Sequence, residues 1–334
     1  NIPDDCQRKL SRITLWSARP AGVNEPTADG VYGAEWILDT VAALGPDDLC
    51  FCLLSGGGSA LLTAPVEGVS LTDKVALTKF LSSAGANIQE LNTVRKHLSR
   101  IKGGGLARAC RAGRMITLII SDVIGDPLDV IASGPTVEDT SSAAEARAIL
   151  RRLDPERQIP NSIYAHLESS AESLKRKPPR CEVTNLVIGN NAVAVDAAGI
   201  EAERRGYSHA MQAATKLEGP AEEIGVHLAE MALSMKGKNG PDCLITGGEP
   251  IVRLAPPELR GKGGRNQQLV LAALTRLLQA GDHSAEGIVL LSGGTDGEDG
   301  PTDAAGAMLT DQLIAEMSRH KLDPASFLHR NDAY

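Results

Sequence analysis

The sequence predicts an α/β fold of two domains with mainly parallel sheets, and three observations carry that prediction. Short apolar runs rich in Val, Ile and Leu recur at 49–54, 115–121, 183–188, 243–246 and 288–292. Each reads as a buried strand. Amphipathic stretches of ten or more residues separate most of them, the alternation that parallel βαβ units need. The third observation is length. At about 100–200 residues per domain, 334 residues allow two domains.

The first run, LCFCLL, alternates Cys50 and Cys52 with larger apolar residues, which suits a buried strand better than a disulfide. Asn87 with Glu90 has the form of a capping box and opens a helix over 87–101; Ser142 with Glu145 opens another over 142–153. The Ala-rich segment 192–205 stops at Gly206, 220–236 at Gly237 and 266–280 at Gly281, each glycine placed as a helix stop. Polar breaks fall at 176–180, 237–241 and 256–264. The second is the expected domain boundary, dividing the chain into 1–236 and 237–334.

No stretch approaches the roughly 18 apolar residues of a membrane helix. The six cysteines are scattered without a Cys-x-x-Cys, so a reduced, cytoplasmic setting is expected. A net charge of −8 and an aromatic content of 3% argue against a stacking, basic nucleic-acid surface. The histidines show no zinc spacing.

Chemistry concentrates where strands end in Ser/Thr-Gly-Gly, at Ser55-Gly56-Gly57, Thr246-Gly247-Gly248 and Ser292-Gly293-Gly294. Ligands of open α/β sheets lie beyond the carboxyl ends of strands. Glycines there let backbone N–H groups approach an anion. Ser55-Gly56-Gly57-Gly58-Ser59 is the first such loop, and it matches neither a P-loop nor a complete dinucleotide fingerprint. Arg95, Lys96, His97, Arg100 and Lys102, followed by Gly103, Gly104 and Gly105, gather positive charge in an acidic chain. That gathering suits an anionic ligand, with a solvated helix face as the plain alternative. Asp122 and Asp126 follow the second strand and either share a metal or divide metal binding from proton acceptance; an Asx turn is the plain alternative. Ser133, Gly134 and Thr136 add N–H and hydroxyl groups or form a turn. Arg265 stands at the start of a helix, where its charge is unfavourable until an anion arrives. An Arg fork there suits a transferring phosphoryl group. Asn266 follows it, and Glu249 is a further acidic candidate. Asp296 or Asp299, in an acidic glycine-rich loop, would bind Mg²⁺ or orient a hydroxyl. Pro301 and Asp303 suit a helix's first turn.

These motifs, in the order Ser-Gly-Gly-Gly-Ser-Ala, Val-Arg-Lys-His-Leu-Ser-x-Ile-Lys-Gly-Gly, Ser-Asp-Val-x-Gly-Asp-Pro, Ser-Gly-Pro-Thr, Gly-Gly-Glu, Gly-x-Gly-Gly-Arg-Asn-Gln and Gly-Gly-Thr-Asp-Gly-x-Asp-Gly-Pro-Thr-Asp, resemble the ATP-dependent glycerate 2-kinase family with its C-terminal MOFRL domain. The resemblance spans Ser55 to Gly306. It implies a Rossmann-like first domain, a smaller MOFRL-type second domain and a cleft between them. It also implies transfer of phosphoryl from ATP to D-glycerate with Mg²⁺, giving 2-phosphoglycerate. By the same resemblance Ser55, Gly56, Gly57, Gly58, Ser59, Lys102, Gly103 and Gly104 touch phosphate or carboxylate. Asp122 and Asp126 lie at the reaction centre, Arg265 is the functional arginine, and Asp296 belongs to the MOFRL side. The family's early Gly-Lys-Ala segment and its closing Thr-Gly-Pro-Thr-Gly-Thr-Asn stretch have no equivalent, so a chain trimmed at both ends is expected. The expected partners are D-glycerate and ATP, with no nucleic acid and no membrane; self-association into a homo-oligomer stays open. The rival readings are a 3-phosphate product, a hydroxypyruvate reductase, an acyl hydrolase using Ser59, and a non-catalytic sugar-acid binder.

Overall fold

The computed structural model describes residues 12–18, 25–169, 178–214, 219–281 and 283–334. Cys6 and the start of the 176–180 break lie outside them. The chain forms two compact units, Asn1–Asn190 and Asn191–Tyr334. That division falls well before the 237–241 break. The reason is strand pairing across the break: the strand at 209–213 is hydrogen-bonded to the one at 243–247.

In the first unit, β1 (Leu49–Leu54), β2 (Arg114–Ile120) and β3 (Glu182–Gly189) make a parallel sheet in the order β1-β2-β3. Helix α1 (Ala28–Ala42) opens at Thr27, whose hydroxyl accepts from Gly30 N at 3.2 Å. It packs Ala34, Leu38 and Val41 with Cys50, Cys52 and Met115 of the sheet and with Leu106 and Ala107 of α5 (Gly105–Ala109). A short α2 (Gly58–Leu61) follows β1. A second core joins α3 (Leu71–Ser83), α4 (Ile88–His97), α6 (Ala143–Leu153) and α7 (Asn161–Ser169) through Leu77, Leu81, Val94, Leu150 and Ile163. The expected capping boxes at Asn87/Glu90 and Ser142/Glu145 are both formed, and a third at Ser70/Asp73 opens α3.

Helix α4 ends at His97, short of the expected 101. Ser99 instead forms an antiparallel bridge with Pro65, and Arg100 N donates to Ala64 O at 2.9 Å. That change of direction brings Lys102 under the first glycine loop.

In the second unit, α8 (Asn191–Arg204) leads into β4 (His209–Ala213), which pairs in parallel with β5 (Cys243–Gly247). Helix α9 (Ala221–Met235) packs on α10 (Arg265–Gln279) through Ala221, Ala229, Ala273 and Leu277. Strands β6 (Leu290–Gly293) and β7 (Gly306–Leu309) are antiparallel, and α11 (Asp311–Arg319) and α12 (Pro324–His329) close the chain. Residues 301–303, expected to begin a helix, bend into β7 instead. No helix among the described residues is long and apolar enough to cross a membrane.

Candidate functional site

The first unit gathers its candidate residues around the loop that leaves β1. Gly57 turns there at φ 77°, a conformation that favours glycine, and α2 begins one residue later. Among the described residues, no protein oxygen accepts from the N–H groups of Gly56, Gly57, Gly58 or Ser59. A Cβ on Gly56 would lie 2.5 Å from Asp122 Oδ2, so this loop runs directly along the exposed Asp122 carboxylate. A Cβ on Gly58 would meet Ala132 Cβ at 2.8 Å.

Below the loop, Lys102 is 1% exposed, and its Nζ donates to Ser59 O at 2.9 Å while lying 3.5 Å from Ser59 Oγ. Arg95 also donates to Ser59 O, at 3.3 Å. Ser59 Oγ and Ser133 Oγ are hydrogen-bonded at 2.7 Å, and Ser133 Oγ reaches Asn92 Oδ1 at 3.4 Å. Burial, then the charges of Arg95 and Lys74, hold the Lys102 amine well below the usual lysine range. Burial also lowers Arg95. Buried Lys102, half-buried Arg95 and a serine pair thus face a loop with free N–H groups, an arrangement suited to a carboxylate or phosphoryl oxyanion.

The backbone that supports this site is bent hard. Ala132 (φ 51°), Ser133 (φ 61°) and Gly134 (φ 60°) are successive left-handed residues. They turn the Ser133 and Gly134 carbonyls towards Gly103 N (2.9 Å) and Gly104 N (2.7 Å). The N–H groups of Gly103 and Gly104, expected to face a ligand, are therefore spent on fixing the backbone beside Lys102. Thr136 Oγ1 donates to Asn185 Oδ1 at 2.6 Å and is buried, so it ties the segment to β3. Asp126, itself left-handed at φ 51°, accepts from Asn190 Nδ2. Among the described residues no group of three or more His, Cys, Asp or Glu could hold a metal. Mg²⁺ commonly takes only one or two protein carboxylates and completes its shell with water and phosphate oxygens. Exposed Asp122 and half-buried Asp126 fit that mode.

The second unit gathers the remaining candidates at the start of α10. Arg265 pairs with Glu249 at 2.6 Å, both half-exposed. The positive helix end is not waiting for a ligand, as its sequence implied. Asp299, 2% exposed, fills it: its carboxylate accepts from Asn266 N (3.0 Å), Asn266 Nδ2 (3.1 Å) and Gln267 N (2.8 Å). Asp299 is thus a helix cap with no face to offer a metal, which corrects its expected role. Asn266 is likewise engaged by Ser292 Oγ at 2.8 Å. Gln267 Nε2 donates to Thr302 Oγ1 at 3.1 Å, so the acidic loop after β6 wraps the helix start. Close packing demands glycine there, since a Cβ on Gly264 would fall 2.3 Å from the Asp299 carboxyl carbon. Asp296 remains exposed, its Oδ1 accepting from Glu298 N at 3.1 Å. Ser55, Gly56, Gly57, Gly58, Ser59, Arg95, Lys102, Ser133 and Asp122 are thus associated in the first unit, and Glu249, Arg265 and Asn266 in the second. Sequence reasoning missed Lys74. Only its burial marks it, and an isolated lysine in a helix carries no motif.

Residues 3–168 match the family model described as a domain of unknown function (DUF4147), and residues 242–334 match the MOFRL family. The chain is 40% identical over 352 residues to "Glycerate kinase" of Rattus norvegicus, covering 93% of this chain and 66% of that protein. It is 40% identical over 365 residues to "Glycerate kinase" of Bos taurus, covering 97% and 68%. A "Putative hydroxypyruvate reductase" of Agrobacterium vitis is 40% identical over 313 residues, covering 92% and 69%. The chain therefore spans about two thirds of the length of these relatives. The crystal structure of a glycerate kinase from Thermotoga maritima superposes with a TM-score of 0.80 at 36% identity, covering 94% of this chain and 73% of that one.

Proposed function

The chain belongs to the glycerate kinase family that carries a MOFRL domain, and on that premise we propose that it transfers the γ-phosphoryl group of ATP to D-glycerate, giving 2-phosphoglycerate and ADP. The single observation that supports this most is the oxyanion site of the first unit, where Lys102 and Arg95 converge on Ser59 beneath a loop with free N–H groups. Phosphoryl transfer asks a protein mainly for alignment and charge neutralisation. In this reading the first unit grips an anionic group of the reactants, while Arg265 neutralises the moving phosphoryl oxygens. Asp122, the exposed carboxylate beside the loop, accepts the hydroxyl proton as the new O–P bond forms and the bond to the ADP oxygen breaks. Mg²⁺, which Asp126 would then hold, supplies further charge neutralisation when bound. We place the protein in the cytoplasm, a setting supported by free Cys50, Cys52, Cys110, Cys181 and Cys243.

Phosphorus NMR of products from ATP, Mg²⁺ and D-glycerate tests the reading. A 2-phosphoglycerate resonance is expected, and Arg265→Ala should lower kcat/KM roughly a thousandfold. A 3-phosphate product would overturn the regiochemistry. No phosphoglycerate, together with NADH-dependent turnover of hydroxypyruvate, would overturn the kinase reading.

A further inference from the structure

Lys74 is a buried amine that the fold does not account for. It sits in the opening turn of α3, 6% exposed, and its Nζ is closed off from solvent with no hydrogen-bond partner among the described residues. A buried ammonium without a partner is costly, and a cation near a helix's positive end adds to that cost. Its helix packs on α4, which carries Arg95, through Leu77, Leu81 and Val94; the charge that acts on it from Arg95 has its own sign, and it acts in turn on Lys102. Methionine would fill the same space without these penalties.

Neighbouring Lys96 shows how this unit otherwise handles a buried lysine. It is also 6% exposed, but it meets Asp129 at 3.0 Å and Asp139 at 4.0 Å. Among the described residues, Lys74, Arg95 and Lys102 meet no such carboxylate. A set of basic groups assembled without a counterion becomes fully charged when a ligand brings one.

We propose that Lys74 is a positioning residue of the oxyanion site, its charge adding to those of Arg95 and Lys102 to hold a small carboxylate or phosphoryl group. This rests on the reading that Arg95, Lys102 and Ser59 receive an anionic group of the reactants. Lys74 does not touch the ligand; it deepens the positive potential that the other two present.

The test compares wild type, Lys74→Met, Lys74→Gln and Lys102→Met, by thermal shift with D-glycerate or inorganic phosphate alone and by steady-state kinetics. Without ligand, Lys74→Met should melt at or above the wild-type temperature. Its affinity for one of the two anions should fall about tenfold, a change of about 1.4 kcal/mol. KM for the corresponding substrate, D-glycerate or ATP, should rise with kcat changed much less. Lys74→Gln should show the same loss, since it keeps a polar head but no charge. A loss confined to D-glycerate identifies a carboxylate as the held group, and a loss confined to phosphate identifies a phosphoryl group. If both Lys74 variants keep the wild-type response while Lys102→Met loses it, the proposal falls and the site reading stands. If Lys102→Met also keeps it, the site reading itself falls.

Discussion

At the scale of single residues, Lys74 also gives the protein a predictable dependence on pH. Burial, then the charge of Arg95, lowers its amine to about 7 in the folded state, against about 10.4 when unfolded. Between those values the unfolded chain binds more protons than the folded one, so this residue makes stability rise with pH. The stability gained by Lys74→Met should therefore be greatest at and below pH 7 and should shrink steadily towards pH 10, as chemical denaturation at several pH values would record. A difference that grows with pH would contradict it. Burial holds the Lys102 amine well below its usual range as well, so its titration adds to the profile in the same direction. Ser59, Arg95 and Lys102 were legible in the sequence because glycines and clustered charges surround them. Lys74 was not, because a lysine in Asp-Lys-Val-Ala-Leu-Thr-Lys looks like an ordinary solvated helix position. Asp299 was misread for a related reason: sequence cannot distinguish a carboxylate facing solvent from one buried against helix N–H groups.

Among the elements, α10 and the acidic loop after β6 stand or fall together. Asp299 caps two backbone N–H groups and the Asn266 side chain from inside the fold. Asp299→Ala should destabilise the protein by about 2 kcal/mol, at the upper end of cap losses. Asp296→Ala, on the exposed part of the same loop, should stay within about 0.5 kcal/mol. Equilibrium denaturation separates the two, and equal losses would remove the capping role. Helices with capping boxes were readable because Asn87/Glu90 and Ser142/Glu145 declare their starts. Strands β4 and β7 were not. His209–Ala213 alternates poorly and Gly306–Leu309 is only four residues long, so both depend on partners distant in sequence.

For the whole molecule, composition and periodicity made the α/β class legible, and the 237–241 break lies just before the residues that match the MOFRL family, 242–334, although the compact units divide earlier. The 237–241 break is polar and glycine-bearing, yet it only joins α9 to β5 within a single unit. Expressed as separate pieces, 1–190 and 191–334 should each melt cooperatively by circular dichroism. A piece comprising 237–334 should not, because it lacks β4 beside β5 and α9 beside α10. Cooperative melting of 237–334 alone would restore the later boundary. The three left-handed residues at 132–134 carry a different consequence. A pliable anion-gripping loop loses conformational freedom each time a ligand arrives. Here that freedom is surrendered once, during folding, and the penalty is the backbone strain of Ala132 and Ser133.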